Sequence, residues 1–414
     1  MSGWRWAGGV LLCTLVAAAC QERLTSPGDC PALCPGGTAA VFDTVVPALQ
    51  DRDSSFPAFA DRAFGYVDRG RGTALLVSNG FAASEDRALY RFAPRGDSIG
   101  VRDTLRAYAV DSVRFSLSLL ARDTLVNGLT IYLYRLPSTV DSSVTFADID
   151  PLLTGANLID SIAVPDSVNA GALTSTLRGA DVARVALPPG GDSVLAIGLR
   201  LAAETTTGIR VGSIGSTSAA TFTSFVTLDV PDTGAVRNQS LTRATSFNTF
   251  VTQNPVVPDD TLLTVGGEPS SRALLRFGLT DGFLDSTTIV RATLELTPVR
   301  PIVGLPTDPS VLQTLALVGD IGAKSPLTTD ATFIRQDTLA TVQTDTVQIG
   351  VTRIVQLWQS SRVRPQSVFL RLQPEGATFA RGVFYSTRSR VPDGTLVAPR
   401  LRITYQRSFP FESP

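Results

Sequence analysis

The 414-residue chain contains no histidine. That absence excludes every mechanism built on an imidazole base or imidazole metal ligand, including Ser-His-Asp triads, Cys-His dyads and HExxH zinc sites. Lysine is nearly missing as well. Lys324 is the one lysine, so the positive charge is almost entirely arginine. Its surroundings, "DIGAKSPL", lack the GxxxxGK[ST] form of a phosphate-binding loop. Methionine occurs only at Met1. There is no excess of charge of either sign: 36 Lys+Arg face 37 Asp+Glu, a net −1. Nothing in that balance attracts a polyphosphate, so no nucleic-acid partner is expected. With 43% hydrophobic and 18% charged residues, the composition is that of a folded globular chain.

Cysteine is also scarce, and all four lie in the first 34 residues: Cys13, Cys20, Cys30 and Cys34. Around them the sequence reads as an address. Arg5 gives a positive start, and Ala7 to Ala19 is a small, apolar run. It is shorter than the ~20 residues that a membrane-spanning helix needs. The run ends in Ala17-Ala18-Ala19-Cys20, which resembles the lipobox of bacterial lipoproteins. The resemblance implies a signal peptide over residues 1–19, removal of that peptide, and diacylation of Cys20 as the new N-terminus. Gln21, in place of an Asp that would retain the protein at the inner membrane, implies the outer membrane of a bacterial cell envelope, with periplasmic and surface faces both open. The same residues also fit an ordinary secretory peptide cut after Ala19, leaving Cys20 as a thiol. In either case Cys30 and Cys34 remain as a pair in "CPALC". In an exported protein such a pair reads as a disulfide, and no further soft ligand exists to complete a metal site. Residues 20–38 form a Pro/Gly-rich tether carrying this small loop.

Beyond the tether, period-two alternation dominates. In "SVRFSLSLLA", Val113, Phe115, Leu117 and Leu119 point one way, while Arg114, Ser116 and Ser118 point the other. "ATLELTP" and "PRLRITYQ" alternate likewise, through Ala292, Leu294 and Leu296, and through Leu401, Ile403 and Tyr405. One apolar and one polar face per strand is the pattern of antiparallel sheets. The clearest helical spacing is in "VTRIVQLWQS", with Val351, Ile354, Val355 and Trp358 on one stripe.

The strands repeat. Arg87-Ala88-Leu89-Tyr90-Arg91-Phe92 aligns with Arg272-Ala273-Leu274-Leu275-Arg276-Phe277. Each copy follows an apolar run and glycine, "TALLVSNG" and "TLLTVGG". Each precedes an alternating strand, "SVRFSLSL" and "IVRATLEL". Later "LRL" recurs at Leu199–Leu201 and Leu370–Leu372. Elements recurring in one order with loops of different length indicate a duplicated core. The chain is therefore expected to be all-β: two tandem antiparallel β-sandwiches of jelly-roll type. The expected boundaries are 39–230 for the first sandwich, 231–246 for a linker ("PDTGAVRNQSLTRATS"), 247–407 for the second sandwich and 408–414 for a tail.

Several segments of the second copy carry a family resemblance: "RALLRFGL" (272–279), "ATLELTP" (292–298), "GVTRIVQLWQS" (350–360), "SVFLRLQ" (367–373), "VFYSTRS" (383–389) and "APRLRITY" (398–405). Together they resemble the DNRLRE-type domain, a jelly-roll, carbohydrate-binding-like module of bacterial surface and secreted proteins. The Asp-Asn-Arg-Leu-Arg-Glu string itself is absent. The first copy shares the "RALYRF" element and lacks the Trp and "FYS" elements. The resemblance implies a β-sandwich in a non-catalytic, glycan-binding role, and it designates no binding residue.

Candidate site residues follow from the strand pattern. Arg87 and Arg91 share one face of their strand, as do Arg272 and Arg276, opposite core positions Ala88, Tyr90 and Phe92 and their counterparts. An outward arginine face could bind carboxylates or sulfates of an acidic polysaccharide, or pair with cross-strand acids on a solvated sheet. Trp358 and Tyr385 could stack on sugar rings, though the stripe position of Trp358 places it in the core. Asp51/Asp53, Asp148/Asp150 and Asp259/Asp260 are candidate ligands of a structural calcium, and equally ordinary turn residues. No other cofactor is called for. Asp232-Thr233-Gly234 resembles an aspartic-protease loop but falls in the expected linker. Arg95-Gly96-Asp97-Ser98 resembles an integrin-binding tripeptide but falls in a turn. The reading is a non-enzymatic cell-envelope lipoprotein, anchored to the membrane by lipid, that binds a glycan or an envelope or assembly partner. A purely structural envelope component and a glycan hydrolase using two carboxylates are the alternatives.

Overall fold

The computed structural model describes residues 40–50, 52–57, 72–96, 98–101, 104–186, 193–230, 235–253, 261–268, 270–322, 325–389 and 397–407. Strands dominate. The first group is β1 (Val41–Pro47), β2 (Ser54–Pro57), β3 (Ala74–Asn79), β4 (Glu85–Phe92), β5 (Ser98–Val101), β6 (Thr104–Ala107), β7 (Ala109–Arg122) and β8 (Thr130–Leu136). Next come β9 (Leu158–Ala163), β10 (Gly171–Arg178), β11 (Ala196–Ala202), β12 (Thr207–Gly212), β13 (Thr221–Val230) and β14 (Ala235–Gln253). The last are β15 (Leu262–Gly266), β16 (Ser271–Arg276), β17 (Thr287–Leu296), β18 (Ser310–Ala316), β19 (Ile334–Leu339), β20 (Val347–Gly350), β21 (Ser367–Gln373), β22 (Arg381–Tyr385) and β23 (Arg400–Arg407). Short α-helices lie at α1 (Phe146–Ile149), α2 (Asp281–Ser286) and α3 (Thr352–Ser360). Every pairing between these strands is antiparallel, as the alternation predicts. Among the described residues, no helix is long and apolar enough to cross a membrane.

The strands build two β-sandwiches. In the first, β3, β12, β7, β13 and the start of β14 form one layer, with β10 on the other side of β7. The end of β14 with β4, β11, β8 and β9 forms the second layer. The 19-residue β14 passes from one layer to the other at an irregularity between Thr245 and Phe247. Apolar alternation fills the space between the layers. Tyr90, Phe92, Val113, Phe115, Leu133, Ile197 and Phe222 are all buried there. The second sandwich packs the sheet β1-β23-β17-β20 against the sheet β19-β18-β21-β16-β15-β22. Its core holds Leu275, Leu294, Ile354, Trp358, Leu370 and Ile403. All four stripe residues of the predicted helix, Val351, Ile354, Val355 and Trp358, are buried.

The two sandwiches share a register. Ala88 lies opposite Leu199 and Ala273 opposite Leu370, so the "RAL" strand pairs with the "LRL" strand identically in both halves. The orders β4-β11-β8-β9 and β16-β21-β18-β19 match. The glycines ending β3 and β15 match too: Gly80 has φ +69° and Gly266 has φ +76°, conformations that favour a residue without Cβ. At Gly266 a Cβ would also meet the Ala380 carbonyl at 2.4 Å.

Two expected boundaries are corrected by the pairing. Residues 235–246 are not a linker: they continue β14, which forms a ladder with β13 from Val230↔Ala235 to Thr221↔Ala244. The polar composition that suggested a linker is that of a solvent-facing strand. Residues 247–253 belong to the first sandwich, where Phe247 to Gln253 pair with β4. Conversely, β1 and β2 do not open the first sandwich. β1 pairs with β23 and β2 with β16, both in the second.

The sandwiches meet through a buried contact. The Phe379 ring enters the first core and stacks edge-on with Phe81 at 5.2 Å. It lies so close to Gly208 that a Cβ there would stand 2.9 Å from the ring. Arg210 pairs with Asp308, which also accepts from the Thr378 hydroxyl at 3.1 Å. Thr307 donates to the Arg122 carbonyl at 2.8 Å.

Candidate functional site

The arginine pairs do not form an open face. The outer side of each "RAL" sheet is covered by a further layer. In the first half, Val140, Ile149 and Leu153 close over Leu89 and Leu136. In the second, Leu317, with Leu327 and Ile334 beside it, closes over Leu274 and Phe369. Arg87 is 1% exposed. Its Nε donates to Asp150 Oδ1 at 2.9 Å, Nη2 to Glu85 Oε2 at 2.9 Å and Nη1 to the Ser78 carbonyl at 3.1 Å. Its guanidinium lies 5.0 Å over the Phe146 ring. Arg272, 2% exposed, grips Glu375 with both arms, at 2.5 and 2.7 Å, and lies 5.7 Å over Phe369. Both halves thus bury the same guanidinium against a ring and a carboxylate. Arg91 donates to the Val140 carbonyl at 2.9 Å and lies over Phe247. Arg276 binds Asp320 through Nε at 2.6 Å and Nη2 at 2.7 Å, and donates to the Arg52 carbonyl. The expectation of outward arginines is corrected by these covering layers. Alternation assigns a face but cannot show what covers it.

The other candidates are dispersed. Asp148 caps α1 by accepting from Thr145 N and Oγ1 at 2.8 and 2.7 Å, and these bonds hold its carboxyl below the usual range. Asp150 is engaged by Arg87, and Asp53 by Thr387 N and Oγ1 at 2.8 and 2.7 Å. Among the described residues, no group of three carboxylates or cysteines lies close enough to hold a metal ion. Trp358 is buried, its ring 6.1 Å from Phe277. Tyr385 is half-buried on β22. Cys20, Cys30, Cys34, Asp51, Asp97, Asp259, Asp260, Lys324 and Asp232-Thr233-Gly234 fall outside the described residues.

A further concavity lies elsewhere. An open groove of about 590 Å³ runs across β7, β13 and β14, lined by Asp111, Ser112, Phe225, Val226, Thr227, Asn238, Gln239 and Ser240. Its shape comes from a bulge: Phe225 faces Ser112 and Val226 faces Val110, so Asp111 is left without a ladder partner and swings out. Thr227 Oγ1 donates to Asp111 Oδ2 at 2.5 Å and contacts Asn238 Oδ1 at 3.3 Å. The Arg114 guanidinium lies 5.2 Å over the half-buried Phe225 ring. One aromatic ring, one carboxylate, two amides and three hydroxyls therefore line one groove. On the opposite face of the same strands, Arg243 is buried 5.5 Å over Phe222. Burial and the like charge of Arg95 push its guanidinium down to about 10.

No signal in the sequence marked this groove. Its β14 wall reads as linker by composition, and a bulge is set by pairing with a partner strand. Compared with known proteins, no family model matches the chain and no curated protein matches it.

Proposed function

We propose that the chain is a non-enzymatic cell-envelope lipoprotein whose sandwiches bind a glycan or an envelope partner, with the β7-β13-β14 groove as the contact surface. The groove carries the reading. A shallow polar trough with an aromatic ring beside Asn, Thr, Ser and Asp offers hydrogen bonds to sugar hydroxyls and an apolar surface for a ring face. Asp111 is the one carboxylate among the described residues lining it, whereas glycoside hydrolysis takes a facing pair. The leader preceding Cys20 and the likeness to DNRLRE-type modules support the envelope setting. A fragment of residues 40–407 tested on a polysaccharide array is expected to retain at least one glycan, and Asn238→Ala with Asp111→Ala to weaken that retention about tenfold or more. Absence of binding to every polysaccharide overturns the glycan reading in favour of a structural role. In the full chain, Cys20→Ala is expected to release the protein from membranes. A variant that stays membrane-bound places the anchor elsewhere.

A further inference from the structure

The two sandwiches are completed in an unexpected order. In the first, the last strand β13 pairs with the start of β14, and the end of β14 pairs with the "RAL" strand β4. In the second, the last strand β23 pairs with β1, and the "RAL" strand β16 pairs with β2. The segment β1–β2 therefore plays in the second sandwich the part that β14 plays in the first. The same two strands are bridged in both halves, over segments of different length. Phe222 lies opposite Arg243, and its counterpart Ile403 lies opposite Thr44. Ala88 lies opposite Phe250, and its counterpart Ala273 lies opposite Ser55. In chain order each of these segments precedes the sandwich it does not complete. β1–β2 precedes the first body and closes the second, while β14 precedes the second body and closes the first.

We infer that the chain consists of two duplicated units whose leading strands are exchanged, and that the second sandwich holds a strand-accepting cleft specific for the chain's own residues 41–57. The cleft holds the described residues of that segment at several points. β1 forms a seven-residue ladder with β23, from Val41↔Gln406 to Pro47↔Arg400. Ala48 is buried in the second core and donates to the Pro399 carbonyl at 2.8 Å. Leu49 N donates to the Arg276 carbonyl at 2.8 Å. Asp53, 2% exposed, accepts two bonds from Thr387. Backbone ladders supply the affinity, and buried Ala48 and Asp53 supply the register, as in peptide recognition by strand addition.

The decisive test reconnects the chain. A permuted protein starts at residue 72, runs to 407, and continues through a short linker into residues 40–57. This reproduces in the second half the β13-to-β14 connection of the first. It is expected to fold with the near-UV spectrum and melting temperature of the natural chain order. A permutant that fails to fold while the natural order folds overturns the inference. A second experiment cuts the folded full chain at a protease site placed within residues 58–71. The N-terminal piece is expected to stay bound through gel filtration and to exchange with labelled 40–57 peptide, with a scrambled peptide binding about tenfold or more weakly. A cut chain that loses the piece and melts unchanged, or that takes both peptides equally, also overturns it.

Discussion

At the residue scale, the repeat is written in buried guanidinium groups. A charge removed from water costs several kcal/mol unless its partners are in place, and Arg87 and Arg272 have them. Removing one side of such a pair strands the other. Arg272→Ala is expected to cost about 3–5 kcal/mol in chemical denaturation, because Glu375 is left buried without its fork. A loss below about 1 kcal/mol would mean that water takes over the carboxylate. Asp320 tests the partly exposed pair. Hydrogen bonds from Arg276 chiefly hold its carboxyl below the ordinary range. A lowered folded pKa means that the unfolded chain takes up protons first, so the stabilisation is present above the ordinary carboxylate range and is lost as pH falls toward the folded value. Stability curves of wild type and Asp320→Asn are therefore expected to lie apart at neutral pH and converge on acidification below about pH 4. Parallel curves would contradict the pairing.

At the element scale, the sequence was legible wherever one side chain pattern decides one face. Val113 to Leu119, Ala292 to Leu296 and the stripe of α3 are buried as their spacing requires. Two acids show the limit. Glu295 alternates as an outward residue, yet it is 4% exposed because Arg400 and Arg402 close over it. Burial pushes its carboxyl up, and the hydrogen bonds of the two arginines outweigh that and leave it lowered. Asp111 alternates as a strand residue and is expelled by a bulge. The β14 segment shows the same limit on a larger scale. "NQSLTRATS" lacks a long apolar run because its ladder with β13 is solvated on one side, so composition suggested a linker where hydrogen bonding makes a strand.

At the scale of the whole molecule, the halves are tied together twice: by the exchanged strands and by the contact at Phe379. Gly208 permits that contact. Gly208→Ile is expected to force the Phe379 ring out of the first core, since even a Cβ would lie 2.9 Å from it. Calorimetry should then resolve two transitions where the natural chain gives fewer. An unchanged melt would show that the ring is not a coupling element. The exchange also places Val41 on the second sandwich. Val41 pairs with Gln406 beside the start of β17, whereas Leu305 to Asp308, which approach the first sandwich, follow the end of β17. The groove lies at the Asp111 end of β7, and the other end of that strand meets the second sandwich where Thr307 donates to the Arg122 carbonyl.

The amino-acid sequence by itself determined the class of structure and its duplication. Period-two burial and recurring strand motifs are local properties, and each can be read within ten residues. The covering of the arginine faces, the bulge that opens the groove and the exchange of leading strands were decided only by the tertiary structure. Each depends on which distant backbone supplies the hydrogen bonds at a sheet edge, and a strand's own side chains do not encode the origin of its partner.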